Sequence, residues 1–326
     1  MPFADPNCLI CNGTGHVFED DGRIVPARGR TCVCLRRAVD RLRHEAIWAQ
    51  SNVPEKYRDA TFEGFSLRDG TVIDKDPEGG NLPISLSMSE VDRDKRDRMA
   101  AIAETPLRDV TIILQGPYGA GKTYLAAALL REQVLRHGLS GYYTNFYGYL
   151  RRVRPDGAEA AEQRALRKKI RESDILILDD IGVEKASVFA MGELWEIIDE
   201  RVGYNRATIV TSNVAAKVAL RISDPDARHK GPESEEAFSI GERIYSRMRN
   251  RIVISWPTST IDFREEQHLV NKAARLEAQA REVRAEIADG AVVRLEPTPE
   301  PAAEAPTEAA PGATPETTPP AKDGDA

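Results

Sequence analysis

At positions 116 to 123 the chain reads Gly116-Pro117-Tyr118-Gly119-Ala120-Gly121-Lys122-Thr123. This run fits the pattern G-x-x-x-x-G-K-[ST], in which glycines let backbone N–H groups converge on phosphate oxygens. An apolar run, Val110–Leu114, precedes it, and a stretch with helical character, Thr123–His137, follows it. A strand, a glycine-rich loop and a helix in this order form the context of a P-loop. The sequence therefore predicts a nucleotide-binding loop, and the alternative is a glycine-rich turn without nucleotide.

The pattern assigns chemistry to the end of this loop. Lys122 can reach the β- and γ-phosphates of ATP, and the Thr123 hydroxyl can bind Mg²⁺. The helix N-terminus that follows adds a favourable dipole for phosphate. We expect the whole run from Gly116 to Thr123 to contact the nucleotide.

A second motif places two carboxylates at the end of a buried strand. The chain reads Asp174-Ile175-Leu176-Ile177-Leu178-Asp179-Asp180. Ligands of open α/β sheets bind at the carboxyl edge of the strands, where these acids are expected to lie. We assign Asp179 to the Mg²⁺ ion and Asp180 to activation of the attacking water, with Glu184 as a competing candidate for the second role.

Two further motifs contribute candidate residues. Thr208-Ile209-Val210-Thr211-Ser212-Asn213 is a strand that ends in polar residues. Asn213 can hydrogen-bond the γ-phosphate or the water, although an asparagine after a strand is also typical of a turn. Arg243 and Arg247 are four residues apart and share a helix face, so that one of them can act as an arginine finger toward a neighbouring subunit. The alternative is a basic face that contacts solvent or nucleic acid.

Short β-branched runs alternate with helical stretches from position 109 onward, which predicts an α/β domain with a parallel sheet. The predicted strands are Val110–Leu114, Gly141–Thr144, Ile175–Leu178, Thr208–Thr211 and Ile252–Ser255. The predicted helices are Leu35–Gln50, Ser87–Glu104, Thr123–His137, Ala158–Glu172, Phe189–Tyr204 and Glu265–Asp289.

All four cysteines lie near the N-terminus, as the pairs Cys8-x-x-Cys11 and Cys32-x-Cys34. Thiolates from two such turns can form a tetrahedral S₄ site, which selects Zn²⁺. His16 is a spare candidate ligand that we expect not to be used. A redox C-x-x-C pair is the competing interpretation, without the thioredoxin-like context that would favour it.

Composition excludes several classes of protein. The 326 residues are 41% hydrophobic and 30% charged, and no apolar run approaches the 18 residues of a membrane span. The first residues lack the basic and apolar regions of a secretory signal, so we expect a cytoplasmic protein without disulfides or a membrane partner. Between Glu296 and Ala326 lie seven acids and one lysine, which account for most of the net charge of −7. That segment is rich in proline and predicted to be disordered.

These features divide the chain into five parts. We expect a zinc-binding and helical N-terminal domain at 1–60, a linker with a surface helix at 61–108 and an ATPase domain at 109–264. A C-terminal helix at 265–290 and a disordered tail rich in proline, alanine and glutamate at 291–326 complete the prediction.

Taken together, the motifs resemble the DnaC/IstB-like AAA+ ATPases. The resemblance covers roughly residues 54–264 and rests on the order and spacing of the set. Its parts are the P-loop, Leu178-Asp179-Asp180-Ile181-Gly182, Trp195–Arg201, Thr208–Asn213, Arg243–Arg247 and the preceding Pro54–Phe65. The family includes helicase loaders of the DnaC and DnaI type and the IstB transposition helpers.

The resemblance implies a fold, roles and partners. It implies an AAA+ P-loop NTPase with a five-stranded parallel sheet and a homo-oligomer in which Arg247, with Arg243 beside it, acts in trans. Asn213 resembles sensor I and Arg264 resembles sensor II. N-terminal cysteine clusters recur among the loaders, which favours an ATP-dependent loader that binds single-stranded DNA and delivers a replicative DNA helicase. The alternative is an IstB-like transposition helper that stimulates a transposase.

The resemblance implies that the protein binds nucleic acid, and the sequence offers three groups of basic residues as contacts. They are Arg36, Arg37, Arg41 and Arg43; Arg151, Arg152 and Arg154; and the stretch Arg164–Arg171. Tyr142 and Tyr143 can stack on bases or belong to the core.

Two other readings remain from the residues themselves. One is a P-loop switch or a small-molecule kinase. A GTP-dependent switch is disfavoured because the sequence has no N-K-x-D guanine motif, since Asn271-Lys272 continues with two alanines. A DNA-binding adaptor that holds ATP without turnover is kept open by Asp180, which stands where many AAA+ enzymes have glutamate.

Overall fold

The computed structural model describes residues 4–17, 31–69, 71–75, 83–154, 159–182, 187–220, 222, 232–248, 250–257 and 281. Residues 1–270 form one compact unit and residues 271–326 a second. In the second unit the described residue is Arg281, which is helical and exposed. The rest of the predicted helix Glu265–Asp289 and the tail 291–326 lie outside the described residues.

The first unit contains strands and helices in alternation. The strands are β1 Thr71–Lys75, β2 Pro83–Ser87, β3 Thr111–Gln115, β4 Gly141–Asn145, β5 Ile175–Ile181, β6 Ala207–Ser212 and β7 Arg251–Ser255. The helices are α1 Val33–Ala49, α2 Met88–Ala103, α3 Lys122–His137, α4 Phe146–Val153, α5 Ala160–Glu172, α6 Val188–Gly203, α7 Ala216–Ala219 and α8 Pro232–Arg247. The predicted strands and helices within the described residues agree with these bounds to within two residues, except that β5 continues three residues beyond the predicted end at Leu178. The helices α4 and α7 were not predicted, and of α8 only the turn with Arg243 and Arg247 was.

Five of the strands form one parallel sheet in the order β4-β5-β6-β3-β7. The strand that leads into the P-loop, β3, therefore lies between β6 and β7 in the interior of the sheet. This arrangement is the α/β AAA+ fold with a five-stranded parallel sheet, which confirms the predicted fold class.

Both faces of the sheet are covered at β3, β5 and β6, which explains why these strands are mostly apolar, whereas most of the edge strand β7 is only partly buried. Neighbouring residues of β3 point to opposite faces, so that Ile112 packs in the cluster around α3 whereas Ile113 packs in the cluster around α6. Within β5, Ile175–Leu178 are completely buried. The polar residues of β5, Asp179 and Asp180, follow this buried stretch. They therefore lie near the carboxyl end of the strand, where the candidate site is.

Helix α1 packs against α3, and the apolar residues of α1 differ in how far they are buried. The ring Nδ1 of His44 lies 2.9 Å from the carbonyl oxygen of Leu135 in α3. Leu35 is buried, whereas Val39 and Leu42 are 50% and 45% exposed. Helical spacing thus predicted the helix correctly but not which of its apolar residues are covered.

The segment predicted as a linker with a surface helix contains more structure than expected. Strands β1 and β2 form an antiparallel pair in it. Helix α2 is less superficial than predicted, because Met88, Asp92 and Met99 are fully buried. Among the described helices, none has both the length and the apolar character needed to cross a bilayer.

Candidate nucleotide site and cysteine cluster

The P-loop depends on its glycines. Gly116, Gly119 and Gly121 have φ angles of +152°, +69° and +81°, which side chains with a Cβ atom rarely adopt. A Cβ atom on Gly121 would lie 2.5 Å from Cε2 of Phe65, and one on Gly116 would lie 2.8 Å from Cβ of Trp256. The P-loop therefore needs glycine at these positions, because a side chain there would clash with Trp256 or Phe65.

Lys122 is the first residue of α3 and is buried, with 6% of its surface accessible. Its Nζ donates to the carbonyl oxygens of Gly116 and Pro117, at 2.8 and 2.7 Å. It also donates to Oδ1 of Asn213, at 2.9 Å. The structure thus brings together two residues, Lys122 and Asn213, that the sequence placed in one site 91 positions apart.

Asp179 accepts hydrogen bonds from three hydroxyl groups. Thr123 and Thr211 each donate to Oδ1 at 2.7 Å, and Tyr143 donates to Oδ2 at 2.7 Å. Burial and the negative charge of Asp179 raise the pKa of Tyr143 far above its usual range, so that its hydroxyl remains a donor. The two predicted Mg²⁺ ligands, Thr123 and Asp179, are therefore adjacent, and both offer the oxygen donors that Mg²⁺ requires.

Asp180 follows in a backbone conformation unusual for a residue with a side chain, with φ at +63°. The register of β5 against β6 shifts between Leu178 and Ile181, which accommodates this bend. The Asp180 backbone N–H donates to Oγ1 of Thr211 at 2.8 Å. Nδ2 of Asn213 donates to Oδ1 of Asp180. Asn213 consequently bridges Lys122 and Asp180.

These residues line a cleft of about 380 Å³ at the carboxyl edge of the sheet. Its walls also contain Lys56, Tyr57, Tyr124 and Thr211, which the sequence did not single out. Thr211 carried a usable signal, because it lies in the polar end of β6, next to the carboxyl end of β5. Lys56 and Tyr57 lie in the stretch Pro54–Phe65 that contributes to the family resemblance, but no role was assigned to them, because they form a single helical turn, Glu55–Tyr57, far from the P-loop in sequence.

The two candidate finger arginines lie on α8, away from the described lining of the cleft. Arg243 is exposed. Nε of Arg247 lies 2.7 Å from Oδ1 of Asp199, and its guanidinium lies 5.7 Å from the ring centre of Trp195. Glu184 and Arg264, the other two candidates, lie outside the described residues.

The four cysteines meet in one cluster, with all four Sγ atoms within 4.8 Å of one another. The Sγ atoms of Cys8 and Cys32 are 3.6 Å apart, and those of Cys11 and Cys34 are 3.5 Å apart. A tetrahedral zinc site with Zn–S bonds of about 2.3 Å has sulfur atoms about 3.8 Å apart, so the donors fit Zn²⁺. In the described part of the chain, the imidazole of His16 does not join the cluster.

Local structure explains how the cluster is held. Helix α1 begins at Val33, so that Cys32 occupies the cap and Cys34 the first turn, which suits the C-x-C spacing. The backbone N–H of Gly15 donates to Sγ of Cys11 at 3.3 Å. Burial alone raises the pKa of Cys11, but the hydrogen bonds from Gly15 and the other thiols outweigh it, and the pKa falls to about 7. Burial and the neighbouring thiols raise the pKa of Cys34 to about 12, so Cys11 is the residue that supplies a thiolate, the form that binds metal, near neutral pH.

Comparison with known proteins shows what the central segment is similar to. Residues 89–218 match the protein family described as IstB-like ATP binding protein. The match contains the P-loop, both aspartates and Asn213. It does not extend to the cysteine cluster or to Arg243 and Arg247.

The curated relatives cover part of the chain. A protein of Pseudomonas fluorescens, named for ATP binding and for insertion sequence IS1162, is 30% identical over 159 residues, which are 49% of this chain and 59% of that protein. A protein of Mycobacterium tuberculosis, likewise named for ATP binding and an insertion sequence, is 32% identical over 108 residues, which are 32% of this chain and 41% of that protein. The chain thus spans about half the length of these relatives.

One solved structure that resembles the chain is described as the DnaC helicase loader. It superposes with a TM-score of 0.43 and 19% sequence identity, over 62% of this chain and 99% of that one. A similarity this low supports no inference about function or partners.

Proposed function

We propose that the protein is an ATPase that assists the transposase of an insertion sequence on DNA. The observation that carries the ATPase part is the connected set Lys122, Asn213 and Asp180, beside Thr123 and Asp179, at one edge of the sheet. The relatives named for insertion sequences support the transposition part.

The residues divide the chemistry of ATP hydrolysis among them. Backbone N–H groups of the P-loop and the N-terminus of α3 bind the phosphates, and Lys122 neutralises charge on the γ-phosphate. Asp180 accepts the proton of the attacking water, whose oxygen bonds to the γ-phosphorus as the bond to the β–γ bridging oxygen breaks. Thr123 and Asp179 would hold Mg²⁺, which would neutralise further charge on the phosphates when bound.

Asn213 supports this assignment because it touches both the phosphate-binding lysine and the acid. Its Oδ1 accepts from Lys122, and its Nδ2 donates to Asp180. An incoming γ-phosphate replaces the asparagine and loop carbonyls as the partner of the Lys122 amine. Asn213 is then positioned to sense whether the γ-phosphate is present.

Completion of the site requires a second subunit in this proposal. The described lining of the cleft contains one cationic side chain besides Lys122, that of Lys56. Arg247 is half-exposed at the end of α8, where Asp199 and Trp195 of α6 contact it. From such a position it can be presented to the γ-phosphate in a neighbouring copy, with Arg243 beside it.

Exposed arginines supply the proposed DNA contacts. Arg151, Arg152 and Arg154 are exposed at the end of α4. Arg152 also lines a groove of about 430 Å³ beside β4, together with Arg58 and Asn145. Its ion pair with Glu162, at 2.6 Å, is on the surface and is easily exchanged for a DNA phosphate.

A loader of a replicative helicase is the second candidate function, and the cysteine cluster favours it. The cluster lies outside the segment that matches the IstB-like family. It exposes Leu9 and Ile10, at 96% and 62%, on the turn between the first two cysteines. Apolar residues on a zinc-stabilised turn can dock on a protein partner.

ATP hydrolysis tests the proposed activity directly. The assay compares the intact protein with Lys122→Ala and Arg247→Ala, with and without duplex and single-stranded DNA. We expect both variants to lose activity and their mixture to recover part of it, because a shared site needs one intact surface from each subunit. Normal hydrolysis by Arg247→Ala would remove the finger assignment, and ATP binding without turnover would favour an adaptor.

Affinity capture separates the two candidate partners. The intact chain and a variant with Leu9→Ser and Ile10→Ser, both at exposed positions, are each presented to a transposase and to a replicative helicase from the same source. Capture of the transposase by both chains supports the helper function. Capture of the helicase by the intact chain and not by the variant supports the loader.

A further inference from the structure

We propose that Tyr143 is a positioning residue for the Mg²⁺ ligand Asp179. This inference rests on the proposed ATPase function and adds a residue that the P-loop motifs do not contain. Tyr143 touches the carboxylate through its hydroxyl and does not line the described nucleotide cleft.

The sheet itself aims Tyr143 at Asp179. In the parallel pair of β4 and β5, Tyr143 is opposite Ile177. Asp179 lies two residues further along β5 and therefore on the same face of the sheet. The Tyr143 ring extends along that face until its hydroxyl is 2.7 Å from Oδ2 of Asp179.

The backbone of Tyr143 is fixed on its other side. Strand β4 is at the edge of the sheet, and the segment that precedes the ATPase core runs along it. The Tyr143 N–H donates to the carbonyl oxygen of Ser51 at 2.8 Å, and Nδ2 of Asn52 donates to the Tyr143 carbonyl oxygen at 2.9 Å. The ring is buried in the cluster that contains α3. The backbone and the ring of Tyr143 are thus both held in place. This fixes the position of the hydroxyl, as a positioning residue requires.

The three hydroxyl donors to Asp179 differ in what else they contact. The Thr123 hydroxyl would offer an oxygen lone pair to Mg²⁺ while its hydrogen still bonds to Oδ1 of Asp179. Thr211 also accepts the backbone N–H of Asp180, so it holds two neighbouring groups at once. Tyr143 is the donor to the second oxygen, Oδ2, and prevents the carboxylate from rotating. Loss of such an outer partner typically weakens metal binding by about 10–100-fold.

Mg²⁺-dependent binding of a fluorescent ATP analogue tests the proposal without requiring turnover. In Tyr143→Phe, we expect the Mg²⁺ concentration for half-maximal enhancement of nucleotide binding to rise about tenfold, with binding in the absence of metal unchanged. Tyr142→Phe is the matched control, because it removes one hydroxyl from the adjacent position of β4. Tyr142 packs in the cluster on the opposite face of the sheet. We expect its Mg²⁺ dependence to equal that of the wild type.

The outcomes separate this inference from the proposed function. A wild-type protein whose nucleotide binding ignores Mg²⁺ overturns both. A wild type that responds, with Tyr143→Phe within twofold of Tyr142→Phe, overturns the role of Tyr143 alone. If Tyr143→Phe does not fold, as judged by its thermal transition, Tyr143→Met lacks the same hydroxyl with a more adaptable side chain and gives the same comparison.

Discussion

Removal of the Asp92 carboxylate is predicted to destabilise the protein severely. Asp92 in α2 is fully buried, and Arg68, with which it pairs, is 2% exposed. Arg68 Nε donates to Oδ2 at 2.8 Å, a second guanidinium nitrogen donates to Oδ1, and the Arg68 backbone N–H donates to Oδ2 at 3.0 Å. Trp256 Nε1 adds a longer bond to Oδ1, at 3.3 Å. The carboxylate therefore joins three separate segments of the chain.

The expected magnitude follows from burial. Asp92→Ala leaves the Arg68 charge buried without its facing carboxylate, which costs about 3–5 kcal/mol. In a domain of this size each kcal/mol lowers the melting temperature by about 2–4 °C, so we expect a fall of about 6–20 °C. Asp94→Ala is the control on the same helix. Asp94 is 52% exposed and pairs with the adjacent Lys95, so its removal is expected to change stability by no more than about 0.5 kcal/mol.

Denaturant unfolding followed by circular dichroism measures both variants. The reasoning is refuted if Asp92→Ala loses less than about 1 kcal/mol or no more than Asp94→Ala. Replacement of the whole pair by apolar residues, as Arg68→Met with Asp92→Leu, is expected to recover most of the loss, because it leaves no buried charge. We also expect Asp92→Ala to weaken nucleotide binding, since Trp256 packs directly against Gly116 of the P-loop.

Four further substitutions test other parts of the structure. Gly121→Ala is expected to abolish nucleotide binding, measured by fluorescence, because its Cβ would meet the Phe65 ring 2.5 Å away; wild-type affinity would contradict this. Gly192→Ala, within α6 and with nothing within 4 Å of the new Cβ, should instead raise the free energy of unfolding by about 0.5–1 kcal/mol. Arg201→Met removes a fully buried guanidinium that donates to several backbone carbonyl oxygens, and a loss of about 2–4 kcal/mol is expected in denaturant titration. For Cys11→Ser, we expect elemental analysis to find much less zinc than in the wild type, and an equal zinc content would exclude the four-thiolate site.

The sheet and the phosphate-binding loop were predictable because local pattern and topology agree. Strands buried on both faces are continuously apolar, and the sequence between them has helical spacing, so β3 to β7 stand out. Glycines with positive φ are required by the P-loop, and they appear as a motif. Asp179 and Asn213 were predictable because parallel strands end at the same edge.

The parts of the site that depend on distant contacts were not predictable. Tyr143 has the sequence context of a core residue, and its burial agrees with that reading. Its contact with Asp179 depends on the register of β4 against β5, which the sequence alone does not display. Lys56 and Tyr57 reach the cleft because the chain before the core folds along β4. Arg247 was placed on a helix correctly, but nothing in its spacing indicated its pairing with Asp199.

Helix α3 connects the P-loop to helix α1 in a mechanical sense. Its 16 residues make a rod about 24 Å long. The rod begins at Lys122, at the end of the P-loop, and near its other end the carbonyl oxygen of Leu135 lies against His44 of α1. Helix α1 begins at Val33, directly after its cap residue Cys32, which belongs to the four-cysteine cluster. Because α3 and α1 pack directly against each other, we expect a displacement of the rod at its P-loop end to reach the helix that adjoins the cysteine cluster.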